Sequence, residues 1–318
     1  MYRDSSVAVV VPAYREELLI GETLSSIPEY VDKIYAINDH SPDRTGAIIE
    51  EYAKNDPRIV PVSHEKNAGV GASIVSGYKR SLDDGMALTA VMAGDNQMNP
   101  EFLPELLDPL VDGKCDYSMG NRLLSPDFRR GMSKWRFFGN SLLTMLTKIA
   151  SGYWQMVDPQ NGYTAITRRA LERINLGDIY PRYGYCNDIL VKLNVFGFRV
   201  KNIPHPAKYG KEKSGIRYGT YIFKVSWLLL KDFIWRLKMK YIVLSFHPLV
   251  FFYFFGVILT ALGIIGGIFS LWEKFYAGLD LLFVHGCLSF LVFLMGMMFL
   301  LFAMLYDMEQ ERSMNGWY

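Results

Sequence analysis

The chain has 318 residues, 50% of them apolar, and its 34 Lys and Arg nearly balance 32 Asp and Glu, leaving a net charge of +2. That length exceeds one ordinary domain, and that balance gives no electrostatic footprint for nucleic acid, which is not expected as a partner. Three cysteines, Cys115, Cys186 and Cys287, are odd in number and far apart; they exclude a disulfide framework or a zinc spacing and suit a reducing compartment.

The opening stretch "MYRDSSVAVVVPAY" holds a short apolar run that ends at Pro12, and it does not read as a signal peptide. From Val7 the signals alternate. "VAVVVPAY" predicts a strand, "EELLIGETLSSIPEYV" a helix, "KIYAINDHS" a strand and "RTGAIIEEYAKN" a helix. "RIVPVSH", "GASIVSGYKRSLDDG" and "ALTAVMAGD" continue as strand, helix and strand. This rhythm predicts an α/β domain with a mostly parallel sheet covered by helices on both faces. "NAGVGASI" opens a helix with Gly69 and Gly71 but has Ile74 where a dinucleotide fingerprint needs glycine, so a Rossmann site is not expected.

Further along, "GTYIFKVSWLLLKDFIWRLKMK" has apolar residues at helical spacing with Lys between them, which predicts an amphipathic helix at a membrane interface. No Asp, Glu, Lys or Arg lies between Lys240 and Glu273 or between Asp280 and Asp307. Each gap exceeds the roughly 20 residues of a spanning helix, and two transmembrane helices are expected at about 244–270 and 281–305. Lys224, Lys231, Arg236, Lys238 and Lys240 precede the first span, while "SLWEKFYAGLD" between the spans has one Lys against two acids. The positive-inside rule then puts the long N-terminal part and the tail "DMEQERSMNGWY" in the cytoplasm of a multi-pass protein of the cell membrane or an endomembrane. The expected organisation is 1–216 catalytic, 217–240 juxtamembrane, 241–306 membrane-spanning and 307–318 tail.

Polar residues collect where the strands end: Pro12, Tyr14, Arg15, Glu16 and Glu17 after the first, Asn38, Asp39, His40, Ser41 and Asp43 after the second, Asp95, Asn96 and Gln97 after the fourth. Taken singly, each cluster is ordinary turn and helix-cap chemistry. Three on one edge of one sheet mark the place where α/β sheets bind ligands.

The motifs "VVVPAYREE", "INDHSPDRTG", "GDNQMNPEF", "GNR" and "DPQNGY", in this order, resemble those of family 2 glycosyltransferases of the GT-A fold. With two C-terminal spans the chain is similar to the polyprenyl-phosphate branch, of the dolichyl-phosphate mannose or glucose synthase type. The resemblance covers about Val7 to Lys213. It implies a nucleotide-sugar donor, a polyprenyl or dolichyl phosphate acceptor, contact with membrane lipids and a divalent metal, Mg2+ or Mn2+.

The same resemblance implies the site. Pro12, Tyr14 and Glu16 match a nucleotide-binding turn, Asp39 the acid that reads the base edge, and Asn38 replaces a neighbouring Asp. Asp95 and Gln97 match the metal and diphosphate motif, whose first Asp is here Ala93. A hard cation held by one or two protein oxygens and by phosphate oxygens would neutralise the leaving diphosphate. Arg122, Arg136 and Asn140 match positions near the acceptor phosphate, and Lys211, Lys213 and Arg217 belong to a basic loop that would close over the diphosphate. Asp158 and Asp188 match carboxylates near the sugar. Arg129 and Arg130 are expected at anionic lipid, and "GYWQMV" in packing.

A lipid monophosphate has a second pKa of about 6 and is largely a dianion near neutrality, so no protein base is required. The expected activity is inverting, metal-dependent transfer of one hexose to the lipid phosphate, from a uridine carrier in preference to a guanosine one. Because Ala93 departs from the family pattern, a membrane-tethered nucleotide-sugar-binding or assembly protein without turnover is the alternative. A processive polysaccharide synthase is disfavoured, since no Gln-x-x-Arg-Trp element is present and two spans hardly enclose a polymer channel. Association of copies through the spans is a further expectation.

Overall fold

Strand β1 (Val7–Ala13) is buried at every residue and lies inside the N-terminal sheet, with a paired strand on either side. Side chains alternate across a strand. Val7, Val9 and Val11 therefore join one core with Ile20, Ile49 and Leu107, while Ala8 and Val10 join a second with Ile74, Tyr78 and Ile189. Two-sided burial explains why β1 reads as an unbroken apolar run. The computed structural model describes residues 1–124, 134–206, 218–277 and 282–315.

The first of two units, Met1–Phe233, continues with α1 (Ile20–Ser26), β2 (Lys33–Asn38), α2 (Thr45–Asn55), β3 (Ile59–Ser63), α3 (Val70–Asp83), β4 (Leu88–Val91) and α4 (Leu103–Val111). It goes on with β5 (Tyr117–Asn121), α5 (Lys134–Ser151), β6 (Thr164–Thr167), α6 (Arg168–Arg173), α7 (Tyr185–Val195), β7 (Val200–Pro204) and most of α8 (Tyr218–Lys238), whose last residues belong to the second unit. The seven strands are ordered β3-β2-β1-β4-β6-β5-β7. Pairs β1/β2, β2/β3, β1/β4 and β5/β7 are parallel, and β6 is antiparallel to both β4 and β5.

Several expected elements have other bounds: α1 ends at Ser26, not Val31, and β2 at Asn38, not Ser41. Helix α1 starts at Ile20, not Glu16, because the carbonyl of Glu16 accepts the N–H groups of Leu19 and Ile20 in a turn. The fourth strand stops at Val91, and residues 92–97 form its exit loop. Helix α8 buries Val225 and Leu229 in a small core with Leu143 of α5 and Val191 of α7, leaving Phe223, Trp227 and Leu230 exposed. Lys231 stacks its ammonium over the Trp227 ring at 5.5 Å.

The second unit, Ile234–Tyr318, holds α9 (Leu249–Trp272) and α10 (Leu282–Asn315). Both are long and apolar enough to cross a membrane. They approach closely: a Cβ on Gly296 would come within 2.3 Å of the Thr260 backbone N, and small residues are what such approach requires. Asp307, read from the sequence as the first residue of a tail, lies inside α10 and is buried. Arg236 forks onto both its oxygens at 2.9 and 2.8 Å, and the Tyr241 hydroxyl donates to it at 2.6 Å.

Candidate functional site

Pairing direction decides where the polar clusters go. Strands β1, β2, β4, β5 and β7 point one way, so their carboxyl ends share an edge, and antiparallel β6 begins on that edge. Tyr14, Asp39, Asp95, Arg122 and His205 leave the sheet there, and the loop before β6 brings Asp158 and Asn161. The backbone is held in unusual conformations at three of these exits: φ is 62° at Arg15, 57° at His40 and 54° at Asn96. A left-handed non-glycine residue costs about 1–2 kcal/mol, and such residues cluster where a turn must aim a side chain.

The exits of β1, β2 and β4 are stitched together by backbone. The N–H of Asp39 donates to the carbonyl of Ala13 at 3.0 Å, and that of Gly94 to the carbonyl of Pro12 at 3.1 Å. This brings Pro12, Asn38, Asp39 and Asp95 into one corner. Tyr14 is exposed there, with the Arg15 guanidinium 5.4 Å from its ring centroid. Glu16 is tied at its N–H to Thr45 Oγ1 at 2.9 Å, and Asn38 Oδ1 accepts the N–H of Ser41 at 3.0 Å. The buried Asp39 carboxylate accepts from three partners: Nδ1 of His64 and the N–H groups of Ala68 and Gly69, each at 2.8 Å.

Those contacts explain the glycine pair that opens α3. Gly69, with φ of 99°, precedes the helix, and a Cβ on Gly71 would stand 2.2 Å from the carbonyl oxygen of Tyr180. The pair serves a left-handed turn and a close backbone approach, not a dinucleotide.

At the β4 exit, Asp95 Oδ1 accepts the N–H of Gln97 at 3.1 Å, closing a tight turn around left-handed Asn96. Among the described residues no three His, Cys, Asp or Glu side chains group as a metal cage. One carboxylate and one amide fit a hard cation that takes its other ligands from phosphate and water, which is how Mg2+ is commonly bound.

The other half of the edge is organised by Arg122 and Asp158. Nε and Nη2 of Arg122 reach Oδ2 and Oδ1 of Asp158 at 2.8 and 3.1 Å. Beside them Asn161 Nδ2 lies 2.8 Å from Nε2 of buried His205, whose Nδ1 faces the carbonyl of Pro206 at 2.9 Å. Asn161 Oδ1 accepts the N–H of Tyr163 at 3.0 Å, so its NH2 faces the ring and His205 is neutral with the proton on Nδ1. Burial, with the Arg122 charge nearby, holds its pKa below the usual histidine value. Neither Asn161 nor His205 was singled out from sequence, although His205 occupies the same strand-exit position that marked the other clusters.

Asp188, expected near the sugar, is buried in the first turn of α7. Its carboxylate accepts the N–H of Tyr180 at 2.6 Å, which ties α7 to the turn at 180, and pairs with Lys192 one turn along the same helix; burial raises its pKa. The side chains of Arg136 and Asn140 on α5, and Arg129, Arg130, Lys211, Lys213 and Arg217, lie outside the described residues.

Residues 8–174 match the family model described as glycosyl transferase family 2. The chain is 25% identical over 218 residues to the UDP-N-acetylglucosamine–dolichyl-phosphate N-acetylglucosaminyltransferase of Methanococcus voltae, covering 63% of this chain and 86% of that one. It is 32% identical over 209 residues to the polyprenol monophosphomannose synthase of Mycolicibacterium smegmatis, covering 62% and 75%. Its fold is that of glucosyl-3-phosphoglycerate synthase from Mycobacterium tuberculosis, solved in complex with Mn2+, uridine-diphosphate and phosphoglyceric acid. The TM-score is 0.56 at 20% identity, over 72% of this chain and 79% of that one. The expected GT-A arrangement is thus present, as a mixed sheet.

Proposed function

This chain belongs to glycosyl transferase family 2, and from that premise we propose that it moves one hexose from a nucleotide-diphosphate sugar to a polyprenyl or dolichyl phosphate. The observation that carries this reading is the division of a single sheet edge into two chemically different halves. One half, at β1, β2 and β4, offers an aromatic ring, buried acceptors and the Asp95–Gln97 turn, which suits a base and a diphosphate. The other, at β5, β6 and β7, offers the Arg122 guanidinium, which suits a phosphate monoester.

In this reading Pro12, Tyr14, Glu16, Asn38 and Asp39 receive the nucleoside, with Lys211 and Lys213 over the diphosphate. Asp95 and Gln97 hold Mg2+ or Mn2+, which when bound supplies positive charge for the leaving diphosphate. Arg122, Arg136, Asn140 and Arg217 receive the lipid phosphate. Asp158 orients the Arg122 fork, and Asp188 acts from behind by fixing α7. A phosphate oxygen forms the new bond to the anomeric carbon as the bond to the diphosphate breaks on the opposite face, inverting that centre. Because the lipid phosphate is already largely a dianion, what the protein supplies is alignment.

Segment 1–216 is the catalytic domain in this reading, 217–240 the interface helix and 241–306 the membrane anchor. The catalytic part faces the cytoplasm, where a prenyl phosphate headgroup enters while its tail stays in lipid. The M. voltae and M. smegmatis relatives, one named for transfer to dolichyl phosphate and the other for synthesis of polyprenol monophosphomannose, support the acceptor class. The test is product formation by purified protein with polyprenyl phosphate and labelled UDP-glucose, UDP-N-acetylglucosamine or GDP-mannose, each with and without Mn2+ or Mg2+. Metal-dependent labelled lipid from one donor is the expected result. Transfer that is unchanged by chelation would remove the metal from the scheme, and no labelled lipid from any donor would count against the acceptor.

A further inference from the structure

Ser76, within α3, and His64, one residue past β3, form a hydrogen-bonded chain that ends on Asp39. His64 Nδ1 stands 2.8 Å from Asp39 Oδ1, and Nε2 stands 2.9 Å from Ser76 Oγ. A carboxylate only accepts, so Nδ1 carries the proton, and in the neutral ring Nε2 accepts from the serine hydroxyl. This order of groups also activates nucleophilic serines. Ser76, however, lies inside a helix whose amides are bonded along its own axis, so no amide is available there to stabilise an oxyanion.

The acceptor count on Asp39 is the informative quantity. Oδ1 receives His64 Nδ1 and the N–H of Ala68, and Oδ2 receives the N–H of Gly69. Each carboxylate oxygen has two lone pairs. Oδ1 is therefore filled, and Oδ2 keeps one acceptor position. Asp39 is only 3% exposed, and its backbone N–H is bonded to the carbonyl of Ala13, the residue before exposed Tyr14.

We propose that His64 and Ser76 are positioning residues that present Asp39 with a single acceptor to the donor base, and that this selects uridine over guanosine nucleotides. The inference rests on the reading of this corner as the nucleotide site. Uracil carries one imide N–H, flanked by carbonyls, and it fills the remaining position on Oδ2. Guanine carries two adjacent N–H donors that ask for both oxygens of a carboxylate, and with Oδ1 filled one of them is left unpaired. Cytosine and adenine put a ring acceptor where Asp39 needs a donor. Leaving one buried donor unpaired costs about tenfold to a hundredfold in affinity.

The test is calorimetric titration of the intact, detergent-purified protein with UDP and GDP in the presence of Mn2+. UDP should bind at least about tenfold more tightly than GDP. His64→Ala should weaken UDP about tenfold and narrow the UDP to GDP ratio, because Asp39 is then free to rotate and Oδ1 regains an acceptor. His64→Asn, whose amide can replace the Nδ1 donor, should restore most of the preference, and Ser76→Ala should lose about threefold. GDP binding as tightly as UDP in the unaltered protein overturns the proposal, as does a folded His64→Ala variant with an unchanged ratio. If His64→Ala does not fold, the unaltered protein and Ser76→Ala decide. Failure of the two readings is distinguishable: UDP preference without labelled lipid sinks the transfer reading alone, and labelled lipid from GDP-mannose alone sinks the base selection alone.

Discussion

Arg122 closes a fork on Asp158, Nε to Oδ2 at 2.8 Å and Nη2 to Oδ1 at 3.1 Å, and its own backbone N–H reaches Oδ2 at 3.3 Å. The carboxylate is buried while the guanidinium side chain is 40% exposed. The pair stands on the edge where an acceptor phosphate is proposed.

Removing the arginine should do two separable things. Arg122→Ala leaves Asp158 buried without its partner, which should cost about 1–3 kcal/mol after discounting for the exposure of the arginine, and it should also lower transfer to the lipid phosphate. The pair Arg122→Ala with Asp158→Ala should recover the lost stability but not the activity. Thermal melts and initial rates on both variants check this, and recovery of activity along with stability would remove Arg122 from the acceptor site.

Asp95→Asn keeps the acceptor oxygen that closes the turn to Gln97 but removes the charge a cation needs. Turnover should fall by about a hundredfold or more, with the melting temperature within a few degrees of the parent. Mn2+ titration followed by calorimetry in the presence of UDP should show the lost metal. Full activity in this variant would end the metal-clamp mechanism.

Gly71→Ala places a Cβ 2.2 Å from the carbonyl oxygen of Tyr180, which is backbone and cannot swing aside. A destabilisation of about 2–4 kcal/mol is expected from the clash. Gly113→Ala gives the contrast, because nothing lies within 4 Å of its added Cβ but its φ of 65° disfavours alanine. A smaller loss of about 1 kcal/mol is expected there. Urea unfolding followed by the tertiary signal of the first unit would rank them.

Asp232, on α8, has a buried Oδ2 with no hydrogen-bond partner and faces Asp188 and Lys192 of α7 and Lys231 of its own helix. Burial, then the Asp188 charge, pushes its pKa from 3.8 to about 7. The folded state therefore binds the proton more tightly than the unfolded chain does. This contribution is fully present below pH 3.8 and is lost as pH rises through about 7. Asp232→Asn should be stabilising by about 2 kcal/mol at pH 8, taking half the full shift for partial exposure, and the gain should vanish near pH 4. Melting curves across that range test the sign.

His205 has the opposite sign. Its folded pKa lies below the unfolded 6.5, chiefly through burial. Its contribution is present above pH 6.5 and declines as pH falls below that value. His205→Gln, which can still accept from Asn161, should flatten the acid limb of the stability profile. An unchanged slope would place the titrating group elsewhere.

Much of the molecule was legible in sequence because its signals are local. The buried run of β1, the charge-free stretches of α9 and α10, and the turn-forming residues at strand exits each depend on a few neighbouring residues. The amphipathic pattern overstates α1 by four residues at its start, where Glu16–Leu19 form a turn on the carbonyl of Glu16, and by five at its end, where Ile27 is already extended. The sequence did not reveal the pairing of His205 with Asn161 of "DPQNGY", because it spans 44 residues and no spacing rule links a strand exit to a loop before another strand.

By itself, the sequence determined the class of fold, the two long apolar segments and the candidate ligands at each strand end, because hydrophobic period and turn chemistry are written in adjacent residues. The tertiary structure decided which of those ligands face one another and which are already occupied. Reversal of the short strand β6 brings Asp158 to Arg122, and the loop entering α3 fills all but one acceptor of Asp39. A hydrogen bond has a direction and a limited number of partners, so the capacity left for a ligand is known only once every distant neighbour has been placed.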